Sequence, residues 1–250
     1  MTTKRRADVL VVEQGLAPTR TKAQALILAG AILTVDGHRI DKPGELLQDT
    51  LELQRKGEPI PYVSRGGLKL AGALDHFALT VTGAVALDVG ASTGGFTDCL
   101  LQRGAARVFA VDVGYGQLAW SLRQDPRVTC IERANVRELD PAIIDAPCTV
   151  VVIDVSFISL ELVVPPALRL AAPGARWVCL VKPQFEVGRA GVGKGGIVRD
   201  ESLREAALAR IVAFFSVLGF SDVRTMDSPI VGAKGNREYL LTALAPMSLA

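Results

Sequence analysis

Beyond about residue 62, short apolar runs alternate with segments of helical length. The five runs that predict strands occupy residues 85–89, 108–113, 128–131, 149–154 and 177–181. Runs that are almost wholly apolar are typical of parallel strands buried on both faces by the intervening helices. A helix over 200–218 and two last strands near 221–225 and 237–244 complete the pattern. The spacing therefore predicts an α/β domain built on a doubly covered, seven-stranded sheet.

The first 62 residues have a different rhythm. A short apolar helix is followed by Thr19, which is a predicted N-cap for a second helix. Residues 31–40 carry an Asp-Gly pair between two apolar runs, which is a strong hairpin signal. Residues 55–61, rich in Pro and charge, then interrupt regular structure. We expect a small α+β domain over 1–62 and a larger domain over 63–250.

The composition excludes several classes of protein. The 250 residues carry a net charge of +2 and are 49% hydrophobic, which suits a globular chain and neither demands nor excludes a nucleic-acid partner. No metal site or disulfide framework is expected, because histidines are scarce and the cysteines are scattered at Cys99, Cys130, Cys148 and Cys179. The sequence has no signal-like segment and no apolar run of about 20 residues. We expect a cytoplasmic protein that does not enter a membrane.

A glycine-rich turn follows the first strand of the larger domain. Its sequence is Asp88-Val-Gly-Ala-Ser-Thr-Gly-Gly-Phe96, and a helix is predicted from about residue 97. Glycines at a strand-to-helix turn let a ligand approach the backbone, and the helix N-terminus offers N–H groups to an anion. Further along, Asp112 ends the second strand, where a carboxylate can bind ribose hydroxyls. Turn and acid together predict a nucleoside cofactor.

The turn alone leaves the cofactor open, because NAD and S-adenosylmethionine use related turns. The dinucleotide fingerprint is Gly-x-Gly-x-x-Gly, whereas this chain has Ser92 at the second glycine position. A last pair of strands after a long helix is the arrangement of methyltransferases, whose last strand is antiparallel, and this favours S-adenosylmethionine. The predicted cofactor contacts are Asp88, Gly90, Ser92, Gly94, Gly95, Phe96, Asp112, Asn135 and Asp154. The rings of Phe96, Phe157 and Trp120 are expected to pack mainly in the core.

Three ionisable residues are predicted to converge outside the carboxyl ends of the strands, where open parallel sheets hold their active sites. Asp154 ends the fourth strand, Lys182 ends the fifth, and Glu238 lies near the start of an antiparallel last strand at the same edge. Carboxylates can position a partly buried lysine, and burial favours its neutral amine, which accepts a proton. Such a base suits a ribose hydroxyl. The sequence Asp154-Val-Ser-Phe157 differs from the Asn/Asp-Pro-Pro-aromatic motif of exocyclic-amine methyltransferases.

Five blocks of the sequence closely resemble the TlyA family, and the similarity spans nearly the whole chain. The blocks are Pro61-Tyr-Val-Ser-Arg-Gly-Gly-Leu-Lys-Leu70, Asp88-Val-Gly-Ala-Ser-Thr-Gly-Gly-Phe96, Asp112-Val-Gly-Tyr-Gly-Gln-Leu-Ala-Trp120, Asp154-Val-Ser-Phe-Ile-Ser159 and Val181-Lys-Pro-Gln-Phe-Glu-Val-Gly188. Members of the family carry the name hemolysin, but they resemble FtsJ/RrmJ-type ribose 2'-O-methyltransferases and methylate cytidines in ribosomal RNA.

The resemblance implies a fold and a catalytic site. The larger domain would be a Rossmann-like class I S-adenosylmethionine-dependent methyltransferase with an antiparallel last strand. The family's Lys-Asp-Lys-Glu tetrad falls on Lys69, Asp154, Lys182 and Glu238. Lys182 would deprotonate the 2'-hydroxyl, while the other three orient it and support the charge.

The resemblance also implies a partner. The N-terminal unit is similar to the small RNA-binding domain of a small-subunit ribosomal protein and of pseudouridine synthases. Its candidate phosphate contacts are Arg6, Arg20, Lys22 and Lys42, to which Arg65 is added from the larger domain. The implied partner is 16S ribosomal RNA, 23S ribosomal RNA or both, within ribosomal subunits, bound by a monomer or a weak dimer.

Two other functions stay open. One is an RNA-binding or ribosome-assembly factor with an inactive methyltransferase domain, against which the intact tetrad and cofactor turn argue. The other is a cytolysin, for which the sequence shows no amphipathic membrane-lytic segment.

The stretch 188–198 resembles half of a phosphate-binding loop, since it reads Gly-Arg-Ala-Gly-Val-Gly-Lys-Gly-Gly-Ile-Val. A P-loop needs Ser or Thr after its lysine to ligate Mg²⁺, and Gly195 stands there instead. We expect a mobile loop that overhangs the crevice, with Arg189 and Lys194 meeting the RNA backbone around a flipped-out nucleotide.

Overall fold

A computed structural model of the chain describes residues 4–34, 38–56, 60–188, 191–232 and 235–248. The chain forms two compact units, Met1–Pro59 and Ile60–Ala250. The elements of the first unit are β1 (Lys4–Arg6), α1 (Ala7–Glu13), α2 (Arg20–Leu28), β2 (Ile32–Thr34), β3 (Leu46–Gln48) and β4 (Leu53–Arg55).

The small unit packs α1 and α2 over two short strand pairs. Its buried core includes Leu10, Ile27 and Ile32, whose side chains come from both helices and from β2. Thr19 is the N-cap of α2, and its hydroxyl oxygen accepts a hydrogen bond from the backbone N–H of Lys22 at 3.3 Å. The predicted cap is therefore confirmed.

The predicted hairpin over 31–40 is confirmed in the described residues on both sides of its turn. An antiparallel bridge joins Leu33 to Arg39, and the Ile40 N–H donates a hydrogen bond to the Ile32 carbonyl oxygen at 3.0 Å. β2 also pairs antiparallel with β4, which brings the buried Leu53 into register with Thr34. The Asp36-Gly37 pair lies outside the described residues.

The larger unit is built on a sheet with seven strands in the described part of the chain. The strands are β5 (Val85–Val89), β6 (Arg107–Val111), β7 (Val128–Ile131), β8 (Cys148–Ile153), β9 (Ala171–Val181), β10 (Ser221–Asp227) and β11 (Tyr239–Leu244). Their spatial order is β10-β11-β9-β8-β5-β6-β7. β11 runs antiparallel to both of its neighbours, and β5 to β9 pair in parallel. The predicted class I methyltransferase fold with an antiparallel last strand is confirmed.

Helices cover both faces of this sheet. They are α3 (Gly66–His76), α4 (Gly95–Gln102), α5 (Trp120–Arg123), α6 (Leu160–Leu168), α7 (Pro183–Glu186) and α8 (Glu201–Val217). Alternate residues of β9 enter different cores: Trp177 packs with Phe215 of α8, while Leu180 packs with Leu70 of α3. This two-residue alternation explains why the strands read as continuous apolar runs.

The topology brings several strand ends to one edge. β5, β6, β8 and β9 end there, and antiparallel β11 begins there, because its Tyr239 pairs with Val181 at the end of β9. Among the described residues, no helix combines the length and apolarity needed to cross a bilayer.

Candidate active site

Lys182 and Asp154 form one ion pair at this edge. Each is the first residue after its strand, β9 for Lys182 and β8 for Asp154. The Lys182 Nζ lies 2.7 Å from Asp154 Oδ1 and donates a hydrogen bond to Ser156 Oγ at 2.9 Å. The lysine side chain is only 11% exposed, so its ammonium is held by these two oxygens.

Lys69 and Glu238 form a second ion pair at the same edge. The Lys69 Nζ donates to Glu238 Oε2 at 2.6 Å, and both residues are buried. Glu238 directly precedes Tyr239, which pairs with Val181, so the strand register sets Glu238 beside Lys182. Helix α3 supplies Lys69. The structure thus brings all four predicted tetrad positions to one end of the sheet.

A small cavity of about 230 Å³ opens at this end. Its walls include Lys69, Asp154 and Lys182, together with the turn from Gly90 to Thr93 and with Ser156. Two ammonium groups and two carboxylates balance each other here, which offsets the cost of removing four charges from water. The cavity therefore presents ionisable side chains that can transfer protons, while the total charge around it stays balanced.

The glycine-rich turn is shaped by a close backbone approach. Gly90 has φ +85°, and a Cβ at this position would lie 2.6 Å from the carbonyl oxygen of Asp154. Only glycine tolerates both conditions. The Asp112 carboxylate holds the same turn by accepting a hydrogen bond from the Ser92 N–H at 2.8 Å, and it also accepts one from the Gly114 N–H, two residues further along its own loop, at 2.7 Å.

A larger cavity of about 490 Å³ lies beside the turn. Its lining is mostly apolar and includes Val113, Val136 and Ile158, and the carboxylate of Asp112 and the amide of Asn135 add polar groups. The Asn135 Oδ1 accepts a hydrogen bond from the Arg137 N–H at 3.1 Å. An apolar slot with a carboxylate and an amide in its wall suits the base and ribose of a nucleoside.

Two predicted cofactor contacts lie beneath the turn. Asp88 is completely buried, and its Oδ2 accepts a hydrogen bond from Thr97 Oγ1 at 2.6 Å. Burial raises the pKa of Asp88 to about 7. Gly94 is the N-cap of α4 with φ +95°. Neither residue is among those that line the two cavities, so the structure gives both a role in supporting the turn. Ser92, Gly95 and Phe96 do line the cavities.

The aromatic residues divide differently from the prediction. Phe96 is 3% exposed and packs in the core, as expected. For Phe157 and Trp120 the prediction is wrong, because they are 89% and 74% exposed. Phe157 follows Ser156 with φ +65°, and its ring contacts that of Phe185 at 5.1 Å. The short segment leaves the sheet edge at this point, which turns the ring outward against Phe185.

In the N-terminal unit, Asp8 organises two of the predicted RNA contacts. Asp8 is fully buried, and its carboxylate accepts hydrogen bonds from Arg6 Nε and Nη2 and from Arg20 Nε, each at 3.0 Å. Gln24 Nε2 adds a bond at 2.7 Å. The Arg6 guanidinium holds the pKa of Asp8 well below its usual range. Both arginines keep about half of their side chains exposed, and Lys22 and Lys42 are exposed.

The remaining predicted RNA contacts belong to the larger unit. Arg65 lines the smaller cavity and donates from Nη2 to the carbonyl oxygen of Val231 at 2.7 Å. Lys194 is exposed, and Arg189 lies outside the described residues.

The described part of the glycine-rich stretch forms an anchored turn. The Gly193 N–H donates to the carbonyl oxygen of Ile197 at 3.0 Å. The buried Asn236 grips this turn from both sides: its Oδ1 accepts from the Val198 N–H at 3.0 Å, and its Nδ2 donates to the Gly196 carbonyl oxygen at 2.8 Å. Residues 191–198 therefore form a hydrogen-bonded turn, and the mobility expected for the stretch stays a prediction.

Sequence reasoning missed Ser156, Asn236 and Asp8. A short polar side chain two residues from Asp154 was the available signal for Ser156, because it belongs to the same strand end. Asn236 gave no local signal, since its partners are distant in sequence. Asp8 gave none either, since its partners are arginines and a glutamine, residue types that are common on protein surfaces.

Comparison with known proteins gives the same picture of the two units. The sequence model of the FtsJ-like methyltransferases matches residues 62–244, and that of the S4 domain matches residues 5–53. The 16S/23S rRNA (cytidine-2'-O)-methyltransferase TlyA of Mycobacterium tuberculosis is 48% identical over 96% of this chain and 90% of its own length. Hemolysin A of Brachyspira hyodysenteriae is 43% identical over 94% of this chain and 98% of its own length.

A solved structure from Streptococcus thermophilus, named for a hemolysin, is similar over both units. It superposes with a TM-score of 0.77 at 46% identity, covering 99% of this chain and 90% of that chain.

Proposed function

The chain belongs to the TlyA family of FtsJ-like methyltransferases, and we propose that it methylates the 2'-oxygen of cytidine ribose in ribosomal RNA with S-adenosylmethionine as the methyl donor. The observation that carries this proposal is the convergence of two ion pairs, Lys182 with Asp154 and Lys69 with Glu238, at the strand edge beside the cavities. A hydroxyl nucleophile needs a base and alignment, and this arrangement supplies both.

The larger cavity fits the proposed donor. Its apolar walls suit an adenine, the Asp112 carboxylate suits ribose hydroxyls, and the Asn135 amide suits the edge of a base. The smaller cavity continues past Gly90 to Lys182. When bound, S-adenosylmethionine would supply a methyl group on a positively charged sulfur.

Lys182 is the proposed general base. As an ammonium it lies 2.7 Å from Asp154 Oδ1 and 2.9 Å from Ser156 Oγ, the arrangement expected after it has taken a proton from the ribose hydroxyl. Before transfer the amine must be neutral.

Lys69 and Glu238 are proposed to orient the reacting ribose. Their mutual pairing leaves Glu238 Oε1 to contact Gln184 Nε2 at 3.5 Å. The exposed ring of Phe157, next to Ser156, is proposed to contact the base of the target nucleotide.

The N-terminal S4 domain is proposed to dock on the RNA. Arg6 and Arg20 share one buried anchor, Asp8, so their guanidinium groups are held in a fixed arrangement that suits phosphates. In this proposal Lys22, Lys42 and Arg65 add further phosphate contacts. Ribosomal RNA of one or both subunits is the proposed substrate.

Methyl transfer from labelled S-adenosylmethionine to ribosomal subunits tests the proposal. The subunits come from cells that lack the gene, and the labelled RNA is digested and mapped. We expect label in 2'-O-methylcytidine. Cofactor binding without transfer to either subunit would instead support the assembly-factor alternative.

A further inference from the structure

Glu186 is a buried carboxylate that the proposed chemistry does not use. It is the last residue of α7, four positions after Lys182, and its side chain is 2% exposed. Burying a carboxylate is costly, and apolar side chains of similar volume often stabilise such a position as well or better. A charged residue here therefore calls for a reason other than packing.

The contacts of Glu186 come from two other helices. At the start of α6, the Ser159 hydroxyl donates to Glu186 Oε2 at 2.7 Å and the Leu160 N–H donates to Oε1 at 3.0 Å. From α8, Arg210 Nη2 lies 3.2 Å from Oε2 and donates to the Glu186 carbonyl oxygen at 2.7 Å. The carboxylate is satisfied on both oxygens.

These contacts join the two segments that carry the candidate base and its partners. One segment runs from Asp154 through Ser156 to Ser159, and the other runs from Lys182 to Glu186. At one end they meet through the Lys182 ammonium. At the other end they meet through the Glu186 carboxylate.

The two segments are also in contact between these ends. The rings of Phe157 and Phe185 lie 5.1 Å apart. Each segment is fixed at its origin by its strand, β8 or β9, and those strands are paired. Releasing the Glu186 end would leave the segments held by the strands, one ring contact and the base itself.

We propose that Glu186 is a positioning residue that fixes the Lys182 amine against Asp154 and Ser156, a role that rests on the proposed methyltransferase function. Its charge crosslinks the two segments away from the reacting atoms, so its loss should lower the rate of the chemical step more than it weakens the binding of either substrate. A misplacement of about 1 Å at a reacting group can cost about 100-fold in rate.

The test is Glu186→Gln in the full chain, with Glu161→Gln as the matched control. Both carboxylates lie 3.2 Å from Arg210, but Glu161 is 36% exposed and lies on α6 outside the two segments. Rates are measured with labelled S-adenosylmethionine and ribosomal subunits, and cofactor affinity is measured by calorimetry. For Glu186→Gln we expect kcat to fall by about 10- to 100-fold, with KM for both substrates within about twofold of the wild-type chain. Glu161→Gln should match the wild-type chain.

Two results would overturn the proposal. One is an unaltered kcat in folded Glu186→Gln beside an active wild-type chain. The other is a parallel loss of kcat and of both affinities in Glu186→Gln and Glu161→Gln, which indicates a general loss of structure. If Glu186→Gln does not fold, Arg210→Gln replaces it. This variant removes the ion pair with Glu186 by changing a half-exposed side chain. It should lower kcat severalfold with KM unchanged. Failure of the proposed function is distinct, because the wild-type chain would then transfer no methyl groups.

Discussion

The ammonium of Lys69 donates a hydrogen bond to the carboxylate of Glu238 at 2.6 Å, across 169 positions of sequence and with both side chains almost completely buried. This contact joins α3, which precedes the sheet, to the start of β11, its last strand in the chain. It lies at the same end of the sheet as the ion pair of Lys182 and Asp154.

Breaking this pair on one side should destabilise the protein strongly. Lys69→Met or Glu238→Gln leaves the other group buried without its partner, and such losses cost about 3–5 kcal/mol. Chemical denaturation of both variants and of Lys69→Met/Glu238→Gln measures the coupling. The double variant should lose less than the sum of the single losses. Additive losses would show that the two groups do not stabilise each other.

The buried Asp88 should give stability an unusual dependence on pH. Burial, and then the charge of Asp154, raises its pKa from 3.8 to about 7. In the window between these values the folded state binds more protons than the unfolded state. The contribution of Asp88 to stability is therefore present below about pH 4 and is lost as pH rises through 7. In this window the free energy of unfolding falls by up to about 1.4 kcal/mol per pH unit.

Asp88→Asn should remove this dependence of stability on pH. The free energy of unfolding of the variant should therefore fall less than that of the wild-type chain between pH 4 and 7. The control is Asp75→Asn. Arg103 lowers the pKa of Asp75, so this substitution should remove stability that is present at neutral pH and absent in acid. Parallel stability curves for Asp88→Asn and the wild-type chain would contradict the account of Asp88.

Replacing Asp8 should change RNA affinity in a direction that separates its positioning of Arg6 and Arg20 from the effect of net charge. Asp8→Asn removes one negative charge, which by itself favours RNA. We nevertheless expect RNA affinity to fall by about tenfold, or about 1.4 kcal/mol, because Arg6 and Arg20 lose their shared anchor.

The control for Asp8 is Asp41→Asn, which makes the same change in net charge but breaks an exposed pair with Arg39. Filter binding over a range of salt concentrations should show equal or tighter RNA binding for this variant. Tighter RNA binding by both variants would show that net charge alone sets the affinity, and it would contradict the positioning role of Asp8. Circular dichroism of Asp8→Asn confirms that the N-terminal unit stays folded.

The glycine-rich stretch 188–198 should contribute RNA affinity without contributing cofactor affinity. Lys194 is exposed in this stretch, and we expect Arg189→Ala/Lys194→Ala to weaken RNA binding. The slope of log affinity against log salt should fall by about 0.7–0.9 for each phosphate that the variant no longer neutralises. Loss of S-adenosylmethionine affinity measured by calorimetry would contradict this assignment.

Local pattern was enough to place the strands, because burial on both faces leaves long apolar runs. The predicted bounds of β5 and β7 are those of the structure. The nearby arm of β2 followed from the Asp-Gly signal, but its second partner, β4, was not predictable in this way, since that pairing depends on a distant segment that brings Leu53 into register with Thr34. Lys69 shows the same limit: alone it reads as a surface lysine, and only its distant partner explains its burial.

Residues near the site were predicted when they end a strand and missed when they act across segments. Asp154 and Lys182 follow from topology alone. Phe157 was placed in the core on hydrophobicity, but its left-handed backbone turns the ring outward. Glu186 looks like an ordinary helix carboxylate until its contacts from α6 and α8 are seen.

The most direct test of the central claim is the single-turnover rate of methyl transfer to ribosomal subunits by Lys182→Met. Methionine keeps most of the side-chain volume and removes the amine. Positioned general bases contribute about 10²- to 10⁴-fold, so we expect a loss of that size in Lys182→Met with cofactor affinity retained. Transfer by Lys182→Met at the wild-type rate would contradict the assignment of Lys182 as the base.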